Sequence, residues 1–136
     1  MNGRPGVVLD SSALLAYLLA EPGAETVRQA LEGSAAISAV NYAEVLSKLS
    51  DYGQDADEAA KRLEQRGLTG TALLIAPMDE SQAVEVARLR RRTRSAGISL
   101  GDRVCMALGR MLHLAVLTAD RRWNALRVGV KIRVIR

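Results

Sequence analysis

Phenylalanine is absent from this 136-residue chain, and histidine and cysteine occur once each. Each shortage removes a class of chemistry. With His113 as the only histidine, a paired-histidine scheme for RNA cleavage is excluded, and a Ser-His-Asp triad would have to use that same ring. His113 sits between Leu112 and Leu114 near the end of a helical pattern, a placement that reads as structural. The single cysteine, Cys105, forms no internal disulfide and points to a reducing compartment. It reads as a small core residue, and one cysteine with one histidine cannot furnish the usual structural zinc site. No glycine-rich phosphate loop of the P-loop or dinucleotide type occurs. No apolar run approaches the roughly 20 residues of a membrane span. Asp10, Ser11 and Ser12 interrupt the first apolar stretch, which argues against a secretory signal. A soluble cytoplasmic protein without membrane association is expected.

Hydrophobic residues make up 49% of the chain and aromatics only 3%, so the core must be built from Leu, Val, Ile and Ala. Disorder does not fit that composition. The length suits one compact domain over residues 1–136. The formal charge is +4, and with only Lys48, Lys61 and Lys131 as lysines, arginine carries it. Guanidinium groups suit bidentate phosphate contacts, though net charge alone identifies no partner.

Short apolar runs alternate with longer helical patterns. Val7, Val8 and Leu9 read as a buried strand ending at Asp10, followed by a helix over about 13–19 and a second over 24–32. Ala35, Ala36 and Ile37 form a second run. Ser38 or Asn41 can then cap a helix to about Asp51. Asp55 to Glu58 has capping-box spacing and opens a helix closed by Gly67. Leu73, Leu74 and Ile75 make a third run. Asp79 caps one long helix to about Arg94, ended by Gly97. Ser99 starts the next, with Val104, Ala107, Leu108, Met111 and Leu112 along one side. Residues 115–118 are the clearest strand, Asp120 follows, a helical turn surrounds Trp123, and a last strand runs over 132–135. Short continuous apolar strands between helices indicate an α/β fold with a parallel sheet covered on both faces.

In such a sheet, ligands bind beyond the carboxyl ends of the strands. Asp10 follows the first strand directly, Asp120 comes two residues after the strand ending at Thr118, Glu44 lies about two turns into the helix leaving the second strand, and Asp102 sits in the first turn of the helix before the 115–118 strand. Each acid also has a plain structural reading. Asp10 and Asp120 can cap the helices after them, and Asn41 with Glu44, and Ser99 with Asp102, have capping-box spacing or a close variant. Together they say more. Two carboxylates about 5 Å apart repel by roughly 3 kcal/mol at an effective dielectric near 20. Several at one rim call for a cation, and an all-oxygen set favours Mg²⁺ or Mn²⁺. The run Arg88, Arg90, Arg91, Arg92, Arg94 reads as a solvated face or as a polyanion or partner contact. Arg103, beside Asp102, is a candidate phosphate contact or the partner of a nearby acid.

The segments VVLDSSALL at 7–15, ISAVNYAEVLSKL at 37–49, SLGDRVCMALG at 99–109 and AVLTADRRW at 115–123 together resemble the PIN-domain toxins of the VapC type. The resemblance spans nearly the whole chain. It implies a three-layer α/β/α PIN-like fold with a mostly parallel sheet of about five strands. It also implies Mg²⁺- or Mn²⁺-dependent endonucleolytic cleavage of RNA, dimerisation, inhibition by a small cognate antitoxin, and in some cases a higher toxin–antitoxin assembly. Position by position, the family's acids fall on Asp10, Glu44, Asp102 and Asp120, and its supporting hydroxyls on Ser12 and Thr118. Asp10, Glu44 and Asp102 would hold the metal, with Asp120 helping directly or through water. Some members carry a further acid where this chain has Arg121, Arg122 and Asn124, which leaves one- or two-metal occupancy open. Aspartyl-phosphate phosphatases also place an Asp after a first strand, but they need a second Asp where Ser12 stands. Receiver-type signalling domains need a lysine in an order this chain lacks. The remaining alternative is a catalytically inactive PIN-like module that binds RNA or protein, against which the presence of all four acids speaks.

Overall fold

The computed structural model describes residues 4–136. Five strands, β1 (Val8–Leu9), β2 (Ala35–Ser38), β3 (Leu73–Ala76), β4 (Val116–Thr118) and β5 (Ile132–Val134), form one sheet in the order β3-β2-β1-β4-β5. Every pairing is parallel. Parallel neighbours need crossovers, and helices supply them. They are α1 (Ser11–Leu18), α2 (Ala24–Glu32), α3 (Ala39–Asp51), α4 (Ala56–Gln65), α5 (Glu80–Arg88), α6 (Arg90–Thr93) and α7 (Leu100–Leu112).

Side chains alternate across the sheet, as the strand repeat of two demands. Val7, Leu9, Ala35, Ile37 and Leu117 face a core built with Leu14, Val27, Leu31, Val45 and Leu63 of α1 to α4. Val8, Ala36 and Val116 face the other core, with Val86, Leu89, Val104, Met106, Leu108 and the fully buried Trp123. The result is the expected three-layer α/β/α sandwich. None of the described helices is long and apolar enough to cross a membrane.

The helix starts follow cap chemistry. Ser38 caps α3, Asp55 caps α4, Asp79 caps α5, and Ser99 with Asp102 forms a complete capping box on α7. The single long helix expected from Asp79 to Arg94 is corrected. It breaks into α5, α6 and a 3₁₀ turn at Arg94–Ala96. Thr93 Oγ1 bonds back to the Leu89 carbonyl at 2.9 Å, a local bond that competes with the helical ladder and bends it. The apolar stripe of α7 is also shorter than expected. Val104, Ala107 and Leu108 are buried, but Met111 and Leu112 are exposed. The packed stretch ends at Gly109, where a Cβ would meet Val116 of β4, and the chain turns into β4 through left-handed His113. Cys105 is buried in the core as expected.

Candidate active site

Strand order reverses direction between β1 and β4, since β1 is flanked by β2 on one side and by β4 on the other. A crevice opens at such a switch point beyond the carboxyl ends of the strands. Asp10 and Asp120 follow those two strands.

Asp10 is 4% exposed and caps α1. Its Oδ1 accepts from the Ala13 N–H at 2.8 Å and from Ser12 Oγ at 2.7 Å, and its Oδ2 accepts from Thr118 Oγ1 at 2.6 Å. Both hydroxyls are fixed in turn, because Ser12 Oγ accepts from the Ala119 N–H and Thr118 Oγ1 from the Asp120 N–H. One network therefore ties the first turn of α1 to the end of β4. Burial pushes the Asp10 carboxyl up to about 6 despite these bonds to Thr118, Ala13 and Ser12, and the charge of Asp102 pushes the same way.

Asp102 is half-buried in the first turn of α7, where its carboxylate accepts the Ser99 N–H and its own N–H donates to Ser99 Oγ. Burial raises its pKa against those bonds, and the charges of Asp120 and Glu44 raise it further. Glu44 is exposed on α3, with Oε1 accepting from Asn41 Nδ2 at 2.9 Å. The same Nδ2 donates to the Gly101 carbonyl at 2.9 Å. The Glu44 carboxylate rests on Gly101 itself: a Cβ there would stand 2.9 Å from Glu44 Cδ and closer still to Oε2. Glu44 is thus seated on the residue before Asp102. Asp120 caps the 3₁₀ turn Arg121–Ala125 and is gripped by Arg122, whose Nη2 and Nε reach its oxygens at 2.6 and 3.0 Å. That guanidinium holds the Asp120 carboxyl below the usual range.

Of the acids expected from sequence, Asp10 is joined to the backbone of Asp120 through Thr118 Oγ1, and Glu44 to the residue before Asp102 through Gly101, while the charges of Asp120 and Glu44 add to the upward shift of Asp102. Beneath them burial pushes the Cys105 thiol up, and Asp10, Asp102 and Glu44 add to the effect, so it is no thiolate nucleophile. Among the described residues Asp120 is the one acid of the four with an ion-pair partner. A buried carboxylate and a half-buried one, both raised and without a cation, form a donor set whose oxygen chemistry fits a hard divalent ion. The set is open, since among the described residues no three acids or other ligating side chains stand close enough to hold an ion as they are.

Three residues were not singled out for this site by sequence. Of the two expected caps, Ser38 or Asn41, Ser38 caps α3, and Asn41 is buried, joining Glu44 to Gly101 with its Oδ1 left without a partner. Gly101 matters only through a neighbour 57 positions away in the chain. Arg122 carried a signal in its spacing, two residues after Asp120. Arg103, expected at the phosphate or beside an acid, is corrected: its Nη1 donates to the Val86 carbonyl of α5 at 3.0 Å, and its Nε is buried without a partner. An arginine at the fourth position of α7 has the reach to pin the neighbouring helix, and its apolar stem fills the layer between them.

Comparison with known proteins agrees with this fold. The family model described as PIN domain matches residues 7–129. A toxin–antitoxin complex from Klebsiella pneumoniae superimposes with a TM-score of 0.73 at 16% identity, covering 96% of this chain and 98% of that one. DNA-bound VapBC from Salmonella typhimurium gives 0.72 at 14% identity, covering 98% and 100%. FitAcB from Neisseria gonorrhoeae gives 0.66 at 23% identity, covering 93% and 95%. No curated protein matches the sequence at a significant level.

Proposed function

The chain belongs to the PIN domain family, and from that premise we propose that it is a divalent-metal-dependent endoribonuclease, the toxin of a type II toxin–antitoxin pair of the VapC type. The observation that supports this reading is geometric: Thr118 Oγ1 links the Asp10 carboxylate to the backbone of Asp120 at the ends of β1 and β4, and the Glu44 carboxylate lies against Gly101, the residue before Asp102.

Asp10, Glu44 and Asp102 are the residues to hold Mg²⁺ or Mn²⁺, with Asp120 assisting. The cation, when bound, supplies the Lewis acidity that makes water a nucleophile near neutral pH and offsets charge on a phosphodiester. Ser12 and Thr118 fix both oxygens of Asp10 so that its carboxylate is aimed before anything binds. Asn41 and Gly101 do the same for Glu44. Arg122, the cation at this rim, is placed to exchange Asp120 for a phosphate oxygen when Asp120 turns inward.

Purified protein incubated with RNA in Mg²⁺ is expected to leave 5′-phosphate and 3′-hydroxyl ends, and chelator is expected to abolish cutting. Ends bearing 2′,3′-cyclic phosphate would refute this chemistry. A homodimer and a small antitoxin partner complete the reading. The neighbours from Klebsiella and Salmonella support the antitoxin partner, since the first is a toxin–antitoxin complex and the second is VapBC bound to DNA. The second reading, an inactive module that binds RNA or protein, draws on the open arrangement of the acids. Binding without chelator-sensitive cleavage would favour it.

A further inference from the structure

The chain carries a net charge of +4, while residues 88–97 alone hold five arginines and no acid. The remainder of the protein is close to neutral, so essentially all of its positive surplus lies between α5 and α7. Arg90, Arg91, Arg92 and Arg94 are exposed, and among the described residues no carboxylate pairs with any of them. A solvated helix face is the ordinary account of such a run. Two contacts go further.

The first is at Gly129, in the loop before β5, where the backbone is left-handed at φ +75°. A Cβ there would stand 3.5 Å from Arg92 Nη1 and would collide with Arg110 Nη1, so two guanidinium groups converge on this spot. Arg110 is held there by the Val128 carbonyl and by Glu85, which also takes Arg88. Two guanidinium groups, those of Arg88 and Arg110, thus share one carboxylate, and Arg92 beside them has none among the described residues. The second contact is at Gly97, at the other end of the segment, where Arg122 Nη1 lies 3.8 Å from the position of a Cβ. Arg122 is the residue that grips Asp120. The arginine segment therefore begins beside Arg110 and ends beside the acid site.

We propose that Arg90, Arg92 and Arg94, with Arg110 and Arg122 at the two ends, form a track for the sugar–phosphate backbone of single-stranded RNA leading into the acid site. This rests on the nuclease reading above and names how its substrate is held. Arg90, Arg92 and Arg94 have no carboxylate partner among the described residues and are free to take phosphate, whereas Arg110 and Arg122 would exchange Glu85 and Asp120 for it. Base stacking contributes little, because Trp123, the nearest aromatic in sequence to Arg122, is fully buried. Recognition along the track is consequently of backbone rather than of sequence.

The test uses the full chain in chelator, which prevents cutting, and the anisotropy of labelled single-stranded RNAs of about 4 and about 16 nucleotides over a range of KCl concentrations. Each phosphate contact contributes about −0.7 to the slope of log K against log salt. The triple variant Arg90→Gln, Arg92→Gln, Arg94→Gln is expected to flatten the slope for the long RNA by about 2 and to lower its affinity about 100-fold near 0.1 M salt. The triple Arg→Lys variant keeps the charge and is expected to keep most of the slope. All three side chains are exposed, and a thermal melt at the parent temperature confirms folding. Parent affinity and slope in the Gln variant would overturn the track, as would equally tight, equally salt-dependent binding of poly-aspartate, which would make this face a dock for acidic protein. Cleavage by the parent protein in Mg²⁺ is scored separately. Its absence would remove the nuclease reading, and a salt slope lost in the Gln variant would still establish the track.

Discussion

Replacing Gly101 with alanine removes no acid and no hydrogen-bonding group, yet it is expected to disable the site. The new Cβ would stand 2.9 Å from Glu44 Cδ and 3.1 Å from Oε1, with Oε2 nearer still. Restoring an ordinary contact of about 3.5 Å obliges the carboxylate to retreat by about 1 Å. A displacement of that size costs about 100-fold in a positioned reaction, or about 2.7 kcal/mol in the barrier. Stability should hardly change. Gly101 lies in the first turn of α7 without a positive φ, so alanine gains up to about 1 kcal/mol of helix propensity. Loss of the Asn41–Glu44 bond offsets a similar amount. Three measurements decide the matter: cleavage rate in Mg²⁺, Mn²⁺ affinity by electron paramagnetic resonance, and the thermal midpoint. The expected pattern is a fall of about 100-fold in rate, weaker Mn²⁺ binding and an unchanged midpoint. Adding Glu44→Asp, which withdraws the carboxylate by one methylene, should recover part of the Mn²⁺ affinity. If Gly101→Ala cuts RNA at the parent rate while Glu44→Gln does not, the seat on Gly101 has no role and the reasoning fails.

Asp10→Asn is expected to abolish cleavage and to raise the metal-free melting temperature at pH 7, because it removes a charge that burial penalises. The sign follows from the raised carboxyl at about 6. Between the unfolded value near 3.8 and about 6 the folded state binds the extra proton, so stability is greatest at the acid end and falls as pH rises, by about 3 kcal/mol. Melting of metal-free protein from pH 4 to 7 should show this decline, and the Asn variant should lack it. Ser12→Ala leaves the Ala119 N–H and one Asp10 oxygen short of a partner and should cost about 1–3 kcal/mol in chemical denaturation. A loss below experimental error would show that water replaces the hydroxyl. Arg122→Gln is expected to raise the Asp120 carboxyl toward its ordinary range, read by carbon-detected NMR titration, since Arg122 is what holds it down.

What the sequence discloses here is local. Apolar runs such as Val7 to Leu9 mark strands because a parallel sheet is buried on both faces, and Asp10 and Asp120 stand out because they come within two residues of the ends of such runs. The cap at Ser99 and Asp102 is equally visible, being a bond across three residues. What stays hidden depends on neighbours remote in the chain. Asn41 meets Gly101 across 60 positions, and nothing around either residue announces the other. Arg103 turns to Val86 rather than toward the acids because α5 happens to lie within its reach. Met111 and Leu112 keep helical spacing but lie past the point where α7 touches β4, and periodicity does not report where a packing layer stops. The division of the 79–97 helix accompanies a bond from a single hydroxyl, Thr93 to the Leu89 carbonyl, and apolar spacing does not report which acceptor a hydroxyl takes.

Asp10 and Asp120 each cap a helical segment, and Asp102 completes the capping box that Ser99 opens on α7, besides the part each is given at the rim. Anyone preparing a silent form of this protein, to trap it with a substrate or a partner, therefore has two goals that one substitution can set against each other. Alanine at these positions strips the carboxylate and also uncaps a helix, at about 1 kcal/mol apiece. Asparagine silences the charge while its side-chain oxygen still closes the turn. Two or three alanines together would give a sample whose inactivity reports on partial unfolding, whereas the amide series keeps the scaffold intact and lets any lost activity be read as lost chemistry.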